Sequence, residues 1–314
     1  MSTLHTRANW GRDLVPDLRK YVFDGFKMLP DYVSQVFNIL ATSKAFEEDR
    51  SAFGIGQITE TSESAPTPES SFQDGFTTRY TPKTFKRKIP VSYELFKDDQ
   101  YSIFNKRAMS LGRAAMRTIN SSAFSIFRNG YDTAYTSYGD SKPLFSTSHT
   151  RADGGTAQSN ASSTGIPLTE TNLFTGIQAL RTQLDDVGEL ISIGDKPLLL
   201  IPTALEKAAM QITESELRSG TSDNDTNYYM GKKVNTLVCP WIGAEAGGSD
   251  TAWTLISPSD HQLNFMWREK PRTFEWQDED TDVLYSKLFM RFTYGWSDWR
   301  GTWGSKGDSV AYSS

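Results

Sequence analysis

The stretch from Asp98 to Gly130, DDQYSIFNKRAMSLGRAAMRTINSSAFSIFRNG, constrains this chain most. Phe104, Ala108, Leu111, Ala115, Ile119, Ala123 and Ile126 recur at steps of three or four, the spacing of one face of an α-helix. Asp98 or Asp99 is placed to cap the start, and Gly130 to end it. About thirty residues at ~1.5 Å each predict a rod of ~45 Å, more than twice the usual globular helix. The polar side carries Lys106, Arg107, Arg113, Arg117 and Arg128. Such a helix is either a core helix with a solvated basic face or a spine to which separate lobes attach. The flanking text favours the spine.

Residues 1–49 read as an extended or partly helical arm with scattered apolar positions and a short helical patch around Pro30–Leu40. From Thr59 the text is TETSESAPTPESSFQ, the composition of a loop. From Phe85 to Phe96 apolar and polar residues alternate in large part, as in a half-buried strand, and Thr77–Tyr80 reads as a shorter one. Together they predict a long projecting hairpin. Its charges segregate, with Glu60, Glu63 and Glu69 before Arg79, Lys83, Arg87 and Lys88. These either neutralise each other within the hairpin or pair with neighbouring copies, which makes them candidate subunit-interface residues.

After the spine comes a polar loop, Tyr131–Pro167, of a length that marks an insertion or an interaction surface. Leu173, Ile177, Leu180, Leu184 and Val187 predict a second helix, capped by Thr169 and ended by Gly188. Pro197–Ile201 is a buried strand, and Thr203 with Glu206 forms a capping box for the helix after it. Short strands follow at Val234–Cys239, Trp253–Ile256, Gln262–Trp267 and Thr273–Trp276, then a long one at Val283–Trp296. The class is α+β.

The hydrophobic fraction of 37% is low for a compact monomer of 314 residues, yet aromatics reach 12% with 8 Trp. A thin core with many large rings fits burial between subunits. The net charge of -5 argues against a dedicated nucleic-acid binder. The single Cys239 lies in an apolar run and reads as a buried, inert thiol. Neither a secretory signal nor a run of about twenty apolar residues is present, so a soluble chain made in a cytoplasm is expected.

The chemistry that can be assembled from the residues is thin. Ser146 and His149 stand three apart and invite a hydrolase reading, but they lack the G-x-S-x-G turn that poises a nucleophile. The three histidines and Cys239 show no metal-ligand spacing, and no phosphate-binding glycine motif occurs. No catalytic residue, metal or cofactor is assigned, and a structural protein is expected.

The order of arm, hairpin, spine, second helix, α/β lobe and closing strand resembles the major capsid proteins of tailed bacteriophages, with the Hong Kong ninety-seven fold. KPLFSTSHT (Lys142–Thr150), LLLIPTALEKAAMQI (Leu198–Ile212) and LFMRFTYGWSDWRGTWGSKG near the end look most like Mu-like major head subunits. The resemblance implies an N-terminal arm at 1–49, an extended hairpin loop at 50–97 and a peripheral domain with the spine helix at 98–189. It places an axial domain at 190–280, and a return strand with the C-terminal tail at 281–314. It further implies pentamers and hexamers that close an icosahedral shell around double-stranded DNA in a virion assembled in a bacterial cytoplasm. The partners implied are further copies, a separate scaffolding protein, a portal and decoration proteins, with non-specific contact to packaged DNA and no membrane. An encapsulin-like compartment shell is the alternative within the same fold.

Overall fold

The computed structural model describes residues 19–52, 57–63, 66–67, 69, 74–92, 103–136, 139–216, 226–229, 233–278 and 280–312. The chain divides into two compact units. One comprises Met1–Phe46, Thr81–Ala123 and Phe265–Tyr294, and the other Glu47–Tyr80, Phe124–Asn264 and Gly295–Ser314.

The first unit is built on the spine. Helix α1 covers residues 19–27, α2 is Val33–Val36 and α3, the spine, is Ile103–Ala123. Ala108, Leu111, Ala115, Ile119 and Ala123 are all buried, as their spacing predicts. The expected caps Asp98 and Asp99 lie outside the described residues. From residue 19 on, the arm is more ordered than its scattered apolar residues imply, because α1 crosses α3 at two glycines. A Cβ on Gly112 would fall against the Val22 carbonyl oxygen, and 2.7 Å from the Phe26 amide nitrogen. A Cβ on Gly25 would fall against the Met109 carbonyl. The Asn120 amide donates to the Pro30 carbonyl at 3.0 Å, tying the chain after α1 to the same helix.

The unit's sheet has the order β1-β8-β9-β4, with β1 Asn38–Ala41, β4 Lys83–Ser92, β8 Leu263–Gln277 and β9 Val283–Trp296. The two strands expected at 262–267 and 273–276 are one strand, whose polar middle Arg-Glu-Lys-Pro hid the continuity. Strand β4 pairs antiparallel with β9 from Lys83↔Phe292 to Ser92↔Val283. It therefore does not form the second arm of the hairpin. That hairpin joins β2, Glu47–Ala52, to β3, Asp74–Tyr80, from Glu47↔Tyr80 to Ala52↔Asp74. The acidic stretch after Gln57 lies in its connecting loop. The β4 ladder wins because it lets Phe85 stack on Phe292, with ring centroids 4.5 Å apart.

The second unit holds a sheet of order β10-β7-β5-β6, formed by β5 Leu198–Ile201, β6 Asn235–Val238, β7 Trp253–Ile256 and β10 Thr302–Ser305. Only β5 and β6 run parallel. Helix α4, Ser125–Arg128, follows a break at Phe124, and α5 is Glu170–Arg181. The Thr169 hydroxyl caps α5 by accepting from the Asn172 amide. Leu173, Ile177 and Leu180 of α5 pack into a core with Leu199, Ile201, Trp253, Leu255 and Trp303.

Three expected helix signals act differently. The Asp185 carboxylate accepts from the Val187 and Glu189 amides, so α5 stops early and Gly188, at φ 88°, serves a turn. Thr203 opens a 3-10 turn, and Leu205 stands at the N-cap of α6, Glu206–Thr213, with no side-chain cap. Gly130 is not a left-handed cap, and a Cβ there would meet the Phe145 ring at 2.8 Å.

Gly112→Ala should destabilise the protein by about 1–3 kcal/mol through overpacking, although alanine is the better helix former by about 1 kcal/mol. Leu111→Ala or Ile119→Ala should cost about 2–5 kcal/mol. Arg117→Ala, on the exposed face, should fall within about 0.5 kcal/mol of the parent. Urea unfolding followed by tryptophan fluorescence ranks them, and equal midpoints would refute the assigned faces.

Candidate assembly interface

The segregated charges occupy two kinds of surface. Glu60, Glu63 and Glu69 are exposed in the β2–β3 loop of the second unit, beside Ile58, which is 98% exposed. Arg79 of β3 stands directly opposite Glu48 of β2, with Nη1 3.9 Å from Oε1. Both side chains are about half exposed, so this pair adds at most ~1 kcal/mol.

Lys83, Arg87 and Lys88 are exposed on β4 in the first unit, and they do not share one face. Successive strand residues point to opposite sides. Arg87 opposes Leu288 and lines a cleft of about 350 Å³ with Phe85, Leu111, Ala115 and Met290. Lys83 opposes Phe292 and follows the same alternation. Lys88 points the other way and opposes Lys287. Its ammonium stands 4.4 Å from the centroid of Tyr285, and Tyr285 stacks on Trp276 at 5.2 Å.

Ser146 and His149 sit in the loop expected to be polar and solvated, yet both are buried. The imidazole is held by Asp140 Oδ2 at 2.6 Å from Nδ1 and by Asn160 Oδ1 at 3.0 Å from Nε2. It stacks on Trp299 at 4.4 Å. The Asn160 amide is itself fixed, donating to the Leu144 carbonyl and accepting from the Ser146 amide. The Ser146 hydroxyl accepts from the Ser148 amide at 3.0 Å. A serine nucleophile needs its base within hydrogen-bond reach, and both ring nitrogens here face oxygens other than the Ser146 hydroxyl.

Beside this group, the buried Arg300 guanidinium meets Asp186 at 3.0 Å, Asp298 at 3.1 Å, the Gln158 side chain at 2.9 Å and the Leu184 carbonyl at 2.7 Å. Burial raises the Asp186 carboxyl above its ordinary range, and Arg300 pulls the other way. The loop is therefore a folded polar core. Its Ser, His and Asn composition concealed this, because the groups satisfy one another. Burial also pushes the Cys239 thiol up to about 12. Among the described residues no group of three or more His, Cys, Asp or Glu is placed to hold a metal, and no helix is long and apolar enough to cross a membrane.

His149→Ala strips hydrogen-bond partners from buried Asp140 and Asn160. It should cost ~1–3 kcal/mol or more. A lowered urea midpoint, with no labelling of Ser146 by a fluorophosphonate in either protein, is the expected result.

A family model described as phage capsid protein matches residues 75–304. The chain is similar to the capsid of bacteriophage JBD30, with a TM-score of 0.55 and 14% identity over 68% of this chain and 92% of that one. It is similar to the mature capsid of bacteriophage PhiM1, at 0.55 and 9% over 86% and 84%. A virus-like particle from Pyrococcus furiosus gives 0.54 and 10% over 92% and 98%. No curated protein matches.

Proposed function

The chain belongs to the phage capsid protein family and is a capsid shell protein; we propose that it is the major head subunit of a Mu-like tailed phage or prophage. The family match over residues 75–304 supports the capsid part of this reading, and the resemblance of Lys142–Thr150 and Leu198–Ile212 supports the Mu-like part. In it the subunit assembles as pentamers and hexamers in the bacterial cytoplasm and closes an icosahedral shell around double-stranded DNA. A separate scaffolding protein, a portal and decoration proteins are its further partners. The residues before Glu47 serve as the arm and the β2–β3 hairpin as the extended loop. Strands β4 and β8, which belong to the sheet of the spine's unit, go with the peripheral domain, and the unit of the β10-β7-β5-β6 sheet serves as the axial domain, in place of the boundaries expected at 97, 189 and 280.

The subunit's task is mechanical and needs no catalytic group. Ile58 and the exposed Glu60, Glu63 and Glu69 support a hairpin that works against a neighbour, since a free loop gains nothing by presenting a bare isoleucine to water. In the same reading Arg79, Lys83, Arg87 and Lys88 meet opposite charges in the lattice. Each exposed pair is worth only ~0–1 kcal/mol, but a shell repeats it in every subunit. Salt screens such pairs over about 8 Å at physiological strength.

Electron microscopy of the purified protein, with and without its scaffold, should show closed particles, and particles from infected or induced cells should hold DNA. Protein cargo in place of DNA would favour the compartment alternative. Arg87→Glu with Lys88→Glu should leave circular dichroism unchanged and block or misdirect shell closure. Normal particles from that double variant would remove these two residues from the interface.

A further inference from the structure

One face of the first unit's sheet is not built for water. On it Trp276, 41% exposed, stacks on Tyr285, and Phe274, 38% exposed, meets Phe289 edge-on at 6.3 Å. Cations stand over these rings. Lys88 lies over Tyr285, Lys287 lies 4.7 Å from Phe274 and 5.6 Å from Trp276, and Arg272 lies 4.9 Å from Phe274. Lys88 and Lys287 are direct cross-strand neighbours. Like charges placed so are unfavourable. Glu269 is the carboxylate paired here, to Arg272 and Arg291. The arrangement leaves positive charge and apolar ring surface together, as an anionic chain with apolar segments would require.

The same sequence contains such a chain. From Gln57 to Gln73 there are three glutamates, two prolines, one isoleucine and no lysine or arginine. Glu60, Glu63 and Glu69 are exposed there, as is Ile58. Prolines seat well on aromatic surfaces because their rings are rigid and little entropy is lost on binding.

We propose that the Lys88–Lys287–Trp276–Tyr285 face receives the acidic loop after Gln57 of a second copy of this chain. The glutamates meet Lys88, Lys287 and Arg272, and Pro66 lies on the Trp276–Tyr285 stack. The contact is heterologous, with different surfaces on the two copies, as ring-forming assemblies require. It rests on the reading that the hairpin works against a neighbour, and it names the surface that receives it.

A charge swap in the full-length protein tests it. The loop variant Glu60→Lys/Glu63→Lys/Glu69→Lys and the face variant Lys88→Glu/Lys287→Glu should each abolish closed particles, and combining them should restore particles. A labelled peptide of residues 57–70 should bind unassembled wild-type subunits, about tenfold more weakly to the face variant or to Trp276→Ser. Particles blocked by the loop variant but normal with the face variant would overturn the assigned surface while leaving the hairpin contact intact. Normal particles from both would overturn the contact itself, with the shell function untouched. Peptide that fails to bind wild-type subunits, or that a single-stranded oligonucleotide displaces at lower concentration than unlabelled peptide, would reject the loop as occupant.

Discussion

The first unit depends on a backbone-to-backbone approach that only glycine permits. At Gly25 and Gly112 helices α1 and α3 come so close that a single methyl group would strike a carbonyl on the facing helix. Close helix contact buries more of each apolar stripe, and dispersion attraction falls steeply with separation. Gly112 weakens α3 by about 1 kcal/mol as an isolated helix. That loss is tolerable because Ala108, Leu111, Ala115 and Ile119 are buried around it. The spine is held by what it packs against, not by its own propensity.

Much of this fold was legible where one periodicity ran long enough. The spine's face is of that kind, and β9 has the expected bounds Val283–Trp296. The strands from β3 to β9 were legible too, but β1, β2 and β10 were not, and neither were strand partners. Alternation at Phe85, Ile89 and Val91 marks a half-buried strand and carries no information about which strand lies beside it. Proximity in sequence pointed to Thr77–Tyr80, whereas the Phe85–Phe292 stack lies across some two hundred residues of chain. Gly25 and Gly112 gave no signal in the sequence, and only the crossing explains them.

The loop after the spine shows a second limit. Polarity is read as exposure because an unpaired buried polar group is costly. The penalty vanishes when groups pair with one another. Asp140, His149, Asn160 and the Leu144 carbonyl form one closed set, and Arg300 with Asp186, Asp298 and Gln158 forms another. Spacing suggested a serine nucleophile because Ser146 and His149 are close in sequence. Geometry gives the histidine other partners, and the same residue types build a rigid core. The charges expected at an interface carried no sign of their sides, since Arg87 and Lys88 are successive on β4 and point to opposite faces.

A shell subunit has to be adhesive toward one surface of its neighbour and inert toward every other copy in solution. The β4 edge meets the second demand with Lys83, Lys86, Arg87, Lys88 and Pro90, because charges and a missing N–H deter edge-to-edge pairing. The aromatic face meets it differently. Its rings are overlaid by Lys88, Lys287 and Arg272, so two such faces repel each other while an acidic segment is attracted. Such self-repulsion disfavours a two-fold dimer that would consume the face and end growth. On the proposed contact, attraction to a different surface would leave each added subunit with a fresh acceptor. Weakness then becomes useful: contacts of about 1 kcal/mol exchange rapidly, so a misplaced subunit leaves before its neighbours lock it in, and only the closed lattice satisfies all of them at once.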